Sequence, residues 1–172
     1  AGEIVGQVLL AAGLLGERPS NVVFMGIGEP FDNYDAVLKT ARILNDDKGL
    51  QIGARRMTIS TSGVVPGIER LAGEGLQVEL SVSLHAPNEA LRSELMPVNR
   101  QYPLASLMAA CKAYAAATHR LITFEYTMIH GRNDTVDHAR QLVRLLNFPS
   151  RVNLIPLSPV EEFAGQPSTP GA

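Results

Sequence analysis

Met57-Thr58-Ile59-Ser60-Thr61-Ser62-Gly63, read beside Glu79-Leu80-Ser81-Val82-Ser83-Leu84-His85, decides the fold class. Successive side chains of a strand point to opposite faces. Thr58, Ser60 and Ser62 therefore share one face of their segment, and Ser81, Ser83 and His85 share one face of theirs. Ile59, Val82 and Leu84 point the other way. A parallel sheet covered on both sides by apolar helices reads as unbroken hydrophobic runs. Two strands that each carry a polar row instead suggest the lumen of a barrel or the wall of a cleft.

Working outward, strands are expected at 55 to 62, 78 to 85, 121 to 129 and 151 to 156, with Asn21 to Gly28 a further short apolar run that reads as a buried strand. Between them lie helical patterns at 34 to 45, 65 to 74, 88 to 95, 103 to 117 and 135 to 147. A further helix at 3 to 15 carries Ile4, Val5, Val8, Leu9, Ala12 and Leu15 at helical spacing and stops at Gly16 and Pro19. Each connection is long enough to return the chain and lay the next strand parallel. The expectation is an α/β protein with parallel strands curved into a partial (β/α) barrel, from residue 1 to 160. Glu161 to Ala172, rich in Pro, Gly, Ser and Thr, reads as a loop or tail.

Composition excludes several classes. With 172 residues, 45% hydrophobic and no low-complexity tract, the chain is neither disordered nor fibrous. A formal charge of -2 offers no global attraction for a polyanion, so any nucleic-acid contact must be local. One cysteine, Cys111, excludes an intrachain disulfide and any site built from several thiolates of this chain. That composition, with no membrane-length apolar run and no signal-like start, points to the cytoplasm. Ala1-Gly2-Glu3-Ile4-Val5 reads as the start of a helix and suggests a piece of a longer protein.

Parallel α/β folds place ligands at the carboxyl ends of their strands, and three candidate segments end there. Gly26-Ile27-Gly28-Glu29-Pro30 lacks the third glycine of a dinucleotide fingerprint, since Phe31 stands there, and Asp32 and Asp35 would repel a phosphate. What remains is open glycine backbone beside a carboxylate, which suits an ammonium group; a glycine turn with a solvated Glu29 is the alternative. Ser60-Thr61-Ser62-Gly63 and Ser83-Leu84-His85-Ala86-Pro87-Asn88 offer hydroxyls and an imidazole to a ribose, a carboxylate or a planar ring. Each is equally a pattern that satisfies its own backbone. Cys111, in an alanine-rich helix, reads as buried and inert. His119 reads as a solvated loop residue, and His138 as a surface residue of a helix capped by Asp134. His130 to Asp134 is a strand-to-helix turn, placed where function sits. These residues by themselves name no reaction.

Taken in order and spacing, Phe24-Met25-Gly26-Ile27-Gly28-Glu29-Pro30, Arg55 to Gly63, Ser83 to Asn88 and Val152-Asn153-Leu154-Ile155-Pro156 resemble one family. It is that of the radical S-adenosylmethionine methyltransferases that methylate an adenine of 23S ribosomal RNA at C2, with a close C8-methylating branch. Leu95 to Arg100 and Phe124-Glu125-Tyr126 share the likeness. The resemblance implies a six-stranded partial barrel, here lacking its first strand, that holds S-adenosylmethionine beside a 4Fe-4S cluster. It places the cofactor contacts on Gly28, Glu29, Ser60, Ser83, Leu84 and His85, with a last one on Ser158, where the family carries asparagine. A serine cannot make the amide's paired contact. The family's three cluster cysteines and its methyl-carrying cysteine are not found in this sequence. The resemblance implies ribosomal RNA as substrate, with transfer RNA as a second RNA substrate left open. A C8-methylating relative, a radical activase and a non-catalytic S-adenosylmethionine-binding module remain alternatives. With the first strand missing, the run Val22 to Gly28 is expected to be an exposed edge through which chains self-associate.

Overall fold

A computed structural model describes residues 1–25, 27–158 and 163–169. The chain runs α1 (Gly2–Leu15), β1 (Val22–Phe24), α2 (Tyr34–Asn45), β2 (Met57–Thr61), α3 (Val65–Ala72), β3 (Glu79–Ser83), α4 (Glu89–Leu95), α5 (Leu104–Thr118), β4 (Ile122–Met128), α6 (Val136–Leu145) and β5 (Ser150–Pro156). Single 3-10 turns at Pro30–Asn33, Ala54–Arg56 and Pro97–Arg100 lead into α2, into β2 and out of α4. The five strands form one sheet in the order β1-β2-β3-β4-β5, with every pair parallel. Sequential order follows from the connections, each of which carries at least one helix across the same face.

The core lies between the sheet and these helices. Met57 and Ile59 of β2, Leu80 and Val82 of β3, and Ile122 and Phe124 of β4 are all fully buried. Against them pack Val37, Leu38, Ala41 and Leu44 of α2, Ile68 and Leu71 of α3, and Leu107, Cys111 and Tyr114 of α5, each set at helical spacing. The other face of the sheet carries Thr58, Ser60, Glu79, Ser81, Ser83, Thr123 and Glu125, which line two adjoining hollows. The polar rows of β2 and β3 thus lie on the side away from the helices.

Two expectations are corrected. The first strand is shorter and less buried than expected: only Val22, Val23 and Phe24 pair with β2, and Val23 and Met25 are more than half exposed. Among the described residues it is an edge with one side unpaired, and the chain must then turn through Gly28 at φ +119, a conformation closed to most side chains. Gly26 lies outside the described residues. The N-cap of α6 is Thr135, whose side chain accepts from His138 N at 3.3 Å. Asp134 instead accepts from Gly131 N at 2.9 Å, closing the preceding turn. Of the 161–172 segment, Glu161, Glu162 and the last three residues lie outside the described residues, and 163–169 packs back: Pro167 bridges Ile129, His130 N donates to Gln166 O, and Ser168 Oγ donates to Asp134.

Candidate functional site

Strand ends and their following turns converge on a cleft of about 360 Å³, open to solvent and lined by Met25, Gly28, Glu29, Pro30, Ser60, Thr61, Ser62, Ser83, His85, Glu125 and Ile155. That size suits a small ligand. Five of the seven residues singled out from sequence meet there: Gly28, Glu29, Ser60, Ser83 and His85. Leu84 does not, because its side chain is fully buried on the helix side. Its backbone N–H donates to Glu125 O at 3.0 Å, and that carbonyl also accepts from His85 N. Ser158 is exposed past β5 and is not part of the cleft lining.

Glu29 is held by its neighbours rather than left in solvent. One carboxylate oxygen accepts from Phe31 N at 3.1 Å, and the other accepts from Ser62 N at 2.7 Å and Ser62 Oγ at 2.8 Å. The turn after β1 is thereby pinned over the end of β2, with the carboxylate half-buried. Such a fixed carboxylate has acceptor capacity left for a cationic donor. Lysine and arginine are absent from the described lining, which leaves the cleft net acidic.

His85 is held in the left-handed region at φ +54, where a non-glycine residue needs support. Asn133 supplies it: its amide donates to His85 O at 2.8 Å and Thr127 O at 2.7 Å, while its side-chain oxygen accepts from Ile129 N at 2.7 Å. Thr127 N donates to His85 Nδ1 at 3.0 Å, so the neutral ring carries its proton on Nε2. Burial lowers the His85 pKa, with the Arg92 charge adding to the shift and Glu125 opposing it. The imidazole thus favours the neutral form, with an Nε2–H donor.

Beneath the cleft lies Arg92, fully buried. Its guanidinium donates to Ser62 O at 2.8 Å, Ser83 O at 3.2 Å and Asn99 Oδ1 at 2.7 Å. Asn99 in turn donates to Glu89, which accepts from Leu104 N. One planar fork thus ties together the ends of β2 and β3, the two strands that carry the candidate hydroxyls. Gly63 leaves it room, since a Cβ there would lie 2.9 Å from the guanidinium. Burial draws the Arg92 pKa down to about 10, which keeps the charge at neutral pH. Sequence reasoning missed Arg92, Ser62 as the holder of Glu29, and the buried Glu125. The signal for Arg92 was faint: an arginine one helical turn after the Asn88 cap of α4, on the inner face of a short helix.

The lone cysteine does not suit an iron–sulfur cluster. Cys111 lies fully buried in α5 with its thiol pushed up to about 12 by burial, and no group of three or more metal-ligating side chains gathers among the described residues. Cluster ligation needs several thiolates at one site. No helix among the described residues is long and apolar enough to cross a membrane.

The fold and site together define a parallel α/β protein with a hydroxyl-lined, acidic cleft at its strand ends, and comparison with known proteins gives the family. The Radical SAM superfamily model matches residues 4–146, and the chain belongs to that superfamily. Within it, the chain is 56% identical over 163 residues to a probable dual-specificity RNA methyltransferase RlmN of Pelotomaculum thermopropionicum, a match covering 94% of this chain and 44% of the relative. The namesake protein of Caldanaerobacter subterraneus is 55% identical, over 95% of this chain and 48% of its own length. A solved radical SAM methyltransferase from Sphaerobacter thermophilus superimposes with a TM-score of 0.93 at 49% identity, covering 98% of this chain and 50% of that one. The chain thus has the α/β fold of the radical SAM methyltransferases and spans about half the length of the relatives it matches.

Proposed function

We infer that the chain is the S-adenosylmethionine-binding core of an RNA methyltransferase acting in the cytoplasm, in a protein of its relatives' length. The observation that carries this is the fixed Glu29 carboxylate facing a cleft with Ser60, Ser83 and His85 and no lining cation. S-adenosylmethionine carries an ammonium and a sulfonium beside a nucleoside, which matches those groups in charge and in hydrogen bonding. Glu29 accepts from the ammonium, the Gly28 backbone allows close approach, Ser60 and Ser83 meet polar atoms, and the His85 Nε2–H donates. Leu84 contributes through its backbone. The exposed Ser158 gives the least, being short and outside the cleft lining.

When bound, S-adenosylmethionine supplies the carbon that is transferred to an adenine of ribosomal RNA, and to transfer RNA in a dual-specificity enzyme. The residues of this chain bind and orient it, the usual share of a protein whose cofactor carries the difficult chemistry. A purely binding role for the chain on its own is favoured by the buried Cys111, which leaves no thiolate to hold a cluster. Titration calorimetry of the purified chain with S-adenosylmethionine tests the reading. One site is expected; no heat of binding, with the chain folded, refutes it.

A further inference from the structure

At the opposite end of the sheet from the cleft, a second hollow of about 420 Å³ lies between the C-terminal turns of α5, the residues that lead into β4 and the loop before β5. The length of β4 sets the two ends roughly 20 Å apart. Lys112, His119 and Arg120 are the ionisable side chains of the described lining, and each carries an N–H that can donate to an anion. No carboxylate lines the hollow among the described residues. Glu79 accepts from one Nη of Arg120 at 2.9 Å and lies 3.9 Å from Arg151, so one carboxylate is shared by two guanidinium groups. Lys112 and His119 take part in no ion pair among the described residues. This end of the chain therefore holds positive charge that the protein does not neutralise, although the formal total is -2.

Cations at a helix C-terminus complement its macrodipole, an effect that fades beyond the last turn. That accounts for His119 and Arg120 but not for Lys112, which stands more than one turn before Thr118, the last residue of α5. Lys112 is instead held over the Phe148 ring, with Nζ 5.7 Å from the centroid. His119 follows α5 in the left-handed region at φ +56, where glycine is the unstrained choice. The bond that closes the helix there, His119 N to Ala115 O at 2.9 Å, uses main chain only, so the cap itself gains nothing from an imidazole. The rest of the wall is apolar. Leu121, 42% exposed, Phe148 and Pro149 form it, and Ala115 and Ala116 are short enough to leave the space open. A bare inorganic anion would meet the cations and leave this wall wet. An anion carried on a planar base covers both, and a phosphate joined to such a base is a nucleotide.

We propose that this hollow is a second binding site, apart from the cleft, that takes a nucleotide: the phosphate accepts from Lys112, His119 and Arg120, and the base rests on Leu121 and Pro149. A free nucleotide and one unit of an RNA strand present the same groups. The site shares no lining residue with the cleft and does not depend on the S-adenosylmethionine reading.

The test is titration calorimetry of the chain with uridine 5′-monophosphate, uridine, inorganic phosphate and a hexauridylate strand, alongside thermal melts. The uracil base keeps the probe unlike the adenosine of the cleft ligand. One site is expected for the monophosphate, about tenfold tighter than for inorganic phosphate, the factor that burying roughly 60 Å² of base supplies. Uridine, which lacks the charge-assisted bonds, should bind as weakly as phosphate does. Lys112→Ala should weaken the monophosphate about fivefold, less than a buried charge would because the ammonium is exposed, and added salt should weaken it further. His119→Gly should also weaken it while melting no lower than the wild type, since glycine relieves the positive φ. Hexauridylate bound more tightly than the monophosphate supports the site and names an RNA strand as its source; equal or weaker binding supports a free nucleotide. A folded wild type that binds the monophosphate no more tightly than inorganic phosphate overturns the proposal. So do Lys112→Ala and His119→Gly variants that bind like the wild type. Displacement of the monophosphate by excess S-adenosylmethionine would put it in the cleft and equally overturn the proposal.

Discussion

Replacing Arg92 by methionine asks whether the buried guanidinium holds the cleft together or merely fills space. The substitution keeps much of the volume and removes three donors, so Ser62 O, Ser83 O and Asn99 Oδ1 lose their shared partner. An orphaned buried acceptor costs roughly 1 to 3 kcal/mol. The two strand-end carbonyls are only partly buried and regain some water, which puts the gross loss near the lower end, at about 3 kcal/mol. Opposing this is relief from burying a charge that has no carboxylate within ion-pair distance among the described residues, a term that can make apolar replacements neutral. Neutrality would need an apolar group that also satisfies the freed acceptors, and methionine satisfies none. A net loss of about 2 kcal/mol is therefore expected, read as a lower urea midpoint at unchanged slope. Arg92→Lys, which keeps the charge but not the fork, should fall between the two. A methionine variant as stable as the wild type would show that the burial cost dominates and that the guanidinium does not clamp the strand ends.

Glu29→Gln should weaken S-adenosylmethionine binding by roughly 1.5 to 3 kcal/mol, against about 1 for Ser60→Ala, because only the first removes a charge-assisted bond; equal losses in calorimetry would refute the ammonium role. Burial holds His85 below its unfolded value near 6.5, so its contribution to stability is complete above about pH 6.5 and lost as pH falls through the lower folded value. Melting temperatures at pH 7.5 and 5 should show this acid loss shrinking in His85→Asn, which also tolerates a positive φ; an unchanged pH dependence would rule His85 out as its source. The exposed edge at Val23 and Met25 should drive self-association, and Val23→Lys should suppress it in light scattering across a concentration series. A wild-type chain that stays monomeric would disprove the edge argument.

Much of the fold was legible because its signals are local. Helix 34 to 45 coincides with α2, since Val37, Leu38, Ala41 and Leu44 repeat at helical spacing. The alternation of Thr58 with Ile59 and Ser60 told the two faces of β2 apart before any neighbour was known. The cap of α6 misled because Asp134 and Thr135 are both good caps and adjacent; backbone geometry chose Thr135. β1 was overextended because an apolar run does not reveal where its pairing partner stops. Of the candidate site, Glu29, Ser60, Ser83 and His85 were found at strand ends. Arg92, Glu125 and Asn133 were not, because each acts across 30 to 48 residues of chain or lies within a strand whose neighbours the sequence does not name.

Periodicity and the spacing of glycine, serine and histidine segments determined, without coordinates, an α/β chain of parallel strands with a polar face and ligand groups at the carboxyl ends. These are properties of residue order along single elements, and the 2.0 and 3.6 repeats carry them. Tertiary structure alone decided which oxygen of Glu29 meets Ser62, that one buried guanidinium joins the ends of β2 and β3, and that Glu125 stands beside Ser83 with its oxygens bonded to Ser81 and Asn153. Those facts depend on strand order and register, which bring side chains distant in sequence to hydrogen-bonding distance, and no local pattern encodes a distance between elements.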